Sequence, residues 1–200
     1  MLGSMTPLGE RARSSRWTVT VGYFVLGSAL GGLALGALLG AAGTLLPFSA
    51  SASAIVLLLL VLVGGLVDGG VLGPRLPTVR RQVDDSWLHR YRSWVYGLGF
   101  GFQLGLGVVT VVGTSAVYVT FAASVLARSP VGGGVIGLLF GLARSLPILS
   151  VAGVTSADRL FPLHARLERS APVSRRWASA LQVGIGGLGC LTLLGLHVGG

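Results

Sequence analysis

Four apolar segments of this 200-residue chain each carry three glycines spaced four apart: Gly32/Gly36/Gly40, Gly65/Gly69/Gly73, Gly97/Gly101/Gly105 and Gly133/Gly137/Gly141. On an α-helix that spacing puts three glycines on one face. It opens a shallow groove into which a neighbouring backbone can press, which is how helices associate where lipid removes the hydrophobic driving force between them. The pattern predicts an all-α, polytopic transmembrane helix bundle.

The amino-acid content agrees. The chain is 52% hydrophobic and only 10% charged, against about 25% charged in a soluble domain. Its apolar stretches exceed the roughly 18 residues that mark a spanning helix. They predict about five spans, at about 18–43, 53–73, 94–127, 132–153 and 177–198, in a single domain over 17–200 that follows a basic tail over 1–16. The run before Ala50-Ser51-Ala52 is too long for the core of a signal peptide, so the first span reads as a retained anchor.

Every basic side chain apart from the histidines is arginine, and the net charge is +9. The arginines sort by connection. Arg11, Arg13 and Arg16 precede the first span. Arg75, Arg80, Arg81, Arg90 and Arg92 lie in 74–93, and Arg159, Arg166, Arg169, Arg175 and Arg176 in 154–176. The 44–52 connection has none and 128–131 has only Arg128. By the positive-inside rule this places the N-terminus in the cytoplasm and the C-terminus outside, in a bacterial inner membrane. It also favours one long, tilted or kinked helix over 94–127, because two spans there would invert the alternation that follows. Since the charge belongs to membrane loops, nucleic acid is not an expected partner.

The 74–93 connection has helical periodicity of its own. Val79, Val83, Trp87, Tyr91 and Trp94 recur at intervals of four, four, four and three, so they share a face, and the segment reads as an amphipathic cytoplasmic helix in the headgroup layer. Both basic connections should meet anionic lipid headgroups. A cation beside a Trp recurs at Arg16-Trp17, Arg92-Ser93-Trp94 and Arg176-Trp177. This marks the interface at which helices enter the membrane, or a parallel internal repeat.

Polar groups within spans are the candidates for function, because an unpaired charge there is expensive. Asp68 and Arg144 fall at depths where an arginine side chain can reach the carboxylate, and they are expected to face each other. Gln103, Gly107, Thr110, Thr114 and Tyr118 follow at four, three, four and four, which on a continuous helix makes a polar stripe with Ser115 beside it; Gln182 is a possible partner for either group. His89, His164 and His197 do not cluster, and no metal set, catalytic triad or phosphate loop is readable. No cofactor and no enzymatic activity are expected, and Cys190 reads as a small buried residue.

The Gly-rich short helices and the segment Phe140-Gly-Leu-Ala-Arg-Ser-Leu-Pro-Ile-Leu149 resemble the membrane domain of the CcdA/DsbD thiol-electron transporters of the LysE-like superfamily. Ser145 and Leu146 precede Pro147 where that family has a cysteine, so the resemblance implies a transporter-like bundle without dithiol exchange. The leading expectation is therefore a permease-like protein, its polar stripe and the Asp68–Arg144 pair lining a path for a small solute or ion. The alternative is a non-transporting membrane scaffold or subunit, assembling with itself or a partner through its glycine faces.

Overall fold

The computed structural model describes residues 16–72, 92–107, 114–152, 173 and 176–189. Outside these lie the N-terminal tail, Gly73, both long basic connections with the expected amphipathic helix, Thr110, the three histidines and Cys190. The described residues form α1 (Trp17–Gly43), α2 (Ala50–Asp68), α3 (Ser93–Leu106), α4 (Ala116–Leu126) and α5 (Pro130–Ser145). A 3-10 turn over Leu146–Val151 extends α5, and α6 covers 176–189. Among them, Trp17–Gly43, Ala50–Asp68 and Pro130–Val151 have the length and apolarity to cross a membrane.

Local chemistry sets the helix ends. Ser49 accepts the N–H of Ala52 at the start of α2, and Ser129 accepts that of Gly132 at the start of α5, where Pro130 adds a preset φ. At the far end of α2, Gly70 adopts a φ of 80°. Its N–H goes to the Val67 carbonyl and that of Val71 to the Leu66 carbonyl. This is a Schellman closure immediately beyond Asp68.

The expected single helix over 94–127 is two helices. α3 stops at Gly107, whose φ of 67° is left-handed, and α4 resumes at Ala116. A Cβ at position 107 would also meet the rings of Phe121 and Phe140 at 2.9–3.0 Å, so both the backbone and its surroundings call for glycine. At 1.5 Å per residue α3 and α4 are about 21 and 16 Å long, each short of the roughly 30 Å hydrocarbon layer.

α1 is the centre of the bundle. Gly97, Gly101 and Gly105 of α3 lie against Thr20, Phe24 and Ser28 of α1, and Gly27 and Gly31 of α1 lie back against Leu98 and Phe102. Residue numbers rise together, so α1 and α3 are parallel, with Trp94 beside Tyr23 at 6.1 Å between ring centroids. On its other face α1 presents Gly32, Gly36 and Gly40 to Gly137, Gly133 and Ser129 of α5, in antiparallel order. A Cβ on any of these glycines would fall closer than 3.0 Å to the facing backbone. Ser28, fully buried, locks this seam by donating its hydroxyl to the Gly141 carbonyl at 2.7 Å.

α2 stands apart from α1 in its packing. It runs antiparallel to α4, from Arg128 beside Phe48 at one end to Ser115 beside Asp68 at the other. An adjoining face carries α6, with Gly65 against Val183, Gly69 against Ser179 and Gly186 against Leu62. The Ser179 hydroxyl donates to the Gly65 carbonyl at 2.7 Å. The α2–α4 contact pairs Ser115 with Gly64 as the α1–α5 contact pairs Ser28 with Gly141, and Gly64 and Gly141 are separated by as many residues as Trp17 and Trp94. Large apolar side chains gather at the end where α1 and α3 begin: Val21, Phe24, Tyr96, Phe100, Ile148 and Val151.

Candidate functional site

The break between α3 and α4 is where the polar chemistry collects. Asp68 is the last residue of α2, so its charge sits at the negative end of that helix dipole. It is held there by the start of α4. The Ser115 N–H donates to both carboxylate oxygens, at 2.9 and 2.8 Å, and the Ser115 hydroxyl donates to Oδ2 at 2.8 Å. The first N–H groups of a helix have no acceptor within it and carry partial positive charge. A carboxylate from a neighbouring helix thus satisfies the exposed start of α4. Both residues are buried, at 6% and 3% exposure.

Gln182 of α6 completes the knot. Its side-chain oxygen lies 3.0 Å from the Ser115 Oγ, while its nitrogen is buried with no hydrogen-bond partner among the described residues. One hydroxyl proton cannot serve two acceptors, and amide orientation is assigned from the network rather than seen. The consistent assignment turns the amide: Gln182 donates to Ser115 Oγ, and Oγ donates to Asp68. Three helices are thereby joined through one serine.

Arg144 is half-buried on α5, its guanidinium carbon 5.4 Å from the centroid of the Phe140 ring, a cation–π distance. Gln103 is half-buried on α3 and Thr114 half-buried in the break, and Tyr118 on α4 is exposed. Because the chain leaves helical geometry at Gly107, these residues do not form the continuous stripe that an unbroken helix would give. Ser115, set beside the stripe in the sequence, is the residue that carries the network. A cleft of about 260 Å³ adjoins it between α2 and α4, walled by Leu60, Val63, Val67, Tyr118 and Val119.

No family model matches the chain, and no solved structure matches it. Curated relatives do. The chain is similar to methylamine utilization protein MauF. It is 35% identical to MauF of Paracoccus versutus over 148 residues, covering 72% of this chain and 54% of that protein. With MauF of Paracoccus denitrificans it shares 36% over 148 residues, 72% and 53% of the two chains. With MauF of Methylobacillus flagellatus it shares 32% over 153 residues, 74% and 53%. The chain spans about half the length of the curated relatives it matches.

These relatives correct two expectations. The resemblance to CcdA/DsbD proteins gives way to the MauF likeness, which extends over nearly three quarters of the chain. The permease reading falls with it, since the relatives are named for methylamine utilization and not for transport.

Proposed function

We propose that the chain is a non-catalytic membrane scaffold or subunit that supports methylamine utilization from a bacterial cytoplasmic membrane, working together with a partner protein. The observation that carries this reading is the likeness to MauF over nearly three quarters of the chain. The bonding of buried Ser28, Ser115 and Ser179 supports it, because each of these serines ties its own helix to another, at Gly141, Asp68 and Gly65, and the bundle is held as a rigid frame. In this reading the membrane is crossed five times, with α3 and α4 as two halves of one crossing. Arg16, Arg92 and Arg176 stand at the starts of three helices, all at the end assigned to the cytoplasm.

The test is deletion of the gene in its host. The deletion strain should fail to grow on methylamine while growing normally on ammonium, and its uptake of radiolabelled methylamine should match the parent. Normal growth on methylamine would refute the reading. Loss of uptake would restore a transport function and refute the scaffold.

A further inference from the structure

A second polar site lies at the opposite end of α2, away from the Asp68 knot. A cleft of about 400 Å³ opens between the N-terminus of α2 and the turn joining α4 to α5. Its walls include Leu57, Leu126 and Ile136, and its polar lining includes Ser53 and Arg128. Ser53 is only 7% exposed, yet its hydroxyl oxygen is buried with no hydrogen-bond partner among the described residues, and so is Nε of Arg128. A buried hydroxyl and a buried guanidinium N–H left without acceptors are each unfavourable. Both line the same cleft.

Two further features act in the same direction. Arg128 holds a left-handed backbone, with a φ of 47°, a conformation that a non-glycine residue keeps only where its surroundings enforce it. Its Nη1 donates to the Phe48 carbonyl, just ahead of α2, which fixes the guanidinium beside that helix start. The first turn of α2 has no acidic residue. Ser49 takes one of its N–H groups, and the remaining ones add positive potential at Ala50, a cleft residue. Asp68, the acidic residue among those described, is at the other end of α2.

We propose that this cleft binds a phosphate-class oxyanion. Arg128 Nε and the Ser53 hydroxyl would donate to it, the start of α2 would supply favourable potential, and the apolar walls would hold any attached hydrocarbon. Guanidinium, hydroxyl and helix N-terminus are the donor set that suits a tetrahedral, multiply charged oxygen cluster. In the membrane reading proposed above, the site is at the end of a helix long and apolar enough to span, where phospholipid phosphates would lie. The same chemistry would take free phosphate, and the experiment separates the two.

The full chain is purified in detergent and titrated with dioleoylphosphatidylglycerol, with dioleoylglycerol (the same tails without phosphate) and with inorganic phosphate. Binding is read by native mass spectrometry and by thermal unfolding. The phospholipid should bind at one equivalent, about tenfold or more tightly than dioleoylglycerol, since charge-assisted hydrogen bonds are the strong ones. Arg128→Gln should remove that preference and Ser53→Ala should weaken it several-fold, with dioleoylglycerol binding unchanged in both. If inorganic phosphate alone gives the same stabilisation, dependent on both residues, the site stands and its source is the free anion. Ser53→Ala removes an unpartnered hydroxyl, so without ligand its unfolding temperature should not fall. It carries the test, with Arg128→Lys, should Arg128→Gln fail to fold. Equal binding of the two lipids with no effect of phosphate, or a preference indifferent to both residues, overturns the proposal.

Discussion

Gly137→Ala tests whether backbone contact along the α1–α5 seam holds the bundle together. A Cβ there would lie under 3.0 Å from both the carbonyl carbon and the Cα of facing residues, Gly32 and Gly36. The Gly32 carbonyl oxygen is closer still, and none of these is a side-chain end that can swing away, so α1 and α5 must separate by about 1 Å. A gap of that size forfeits a quarter to a half of each contact's attraction, or about 1 kcal/mol over some twenty atom pairs. It also stretches the bond from Ser28 to Gly141, now 2.7 Å. Leaving that buried hydroxyl unsatisfied costs about 1–3 kcal/mol. The better helix propensity of alanine returns only about 1 kcal/mol, so a net loss of about 1–3 kcal/mol is expected. Gly22→Ala is the control. Nothing lies within 4 Å of its Cβ, so propensity alone acts and stability should rise by up to about 1 kcal/mol. Both are measured by SDS titration of the purified protein in mixed micelles, followed by circular dichroism. Equal stabilisation by the two substitutions would refute close backbone packing as the source of the seam's strength.

Asp68→Asn and Ser115→Ala, made singly and together, should show about 1–2 kcal/mol of coupling in the same assay, as bonded neighbours do; additive losses would reject the hydroxyl–carboxylate bond. Gly107→Ala should destabilise by about 1–2 kcal/mol from the left-handed backbone alone, and more from the Phe121 and Phe140 rings. A neutral result would mean that α3 does not end there. We also propose that Asp68 and Arg144 are coupled electrostatically, so Asp68→Asn should change the effect of Arg144→Gln on stability, and strict additivity would reject the pairing.

Much of the architecture is written in the glycine spacing, because a backbone groove depends on one residue type at one period. The spacing does not say which groove meets which. Gly32/Gly36/Gly40 could have met any of the other rows; its union with Gly133/Gly137/Gly141 is settled by the antiparallel order and the serine at Ser28. The break at Gly107 was hidden by unbroken hydropathy. Its available signal is the run Val108-Val109-Thr110-Val111-Val112 between Gly107 and Gly113, five β-branched residues of lower helix propensity bracketed by glycines. Asp68 stood out as a buried charge, but its partner did not. Serine is common in helices, and only the end of a helix turns a serine N–H into a donor for a carboxylate.

The central place of α1 has a consequence for how the protein is made. Its groove toward α5 is filled by residues about a hundred positions later in the chain. At about 5–20 residues per second of synthesis, the nascent first helix waits roughly 5–20 s beside the ribosome's insertion machinery before its partner emerges. In the membrane reading proposed above, the α5-facing groove stays open to lipid or to any passing helix with a similar groove through that interval, and the α3-facing one until Leu98 and Phe102 arrive. Coexpressed membrane segments with small-residue faces would therefore compete for α1 during synthesis, and not after the bundle has closed.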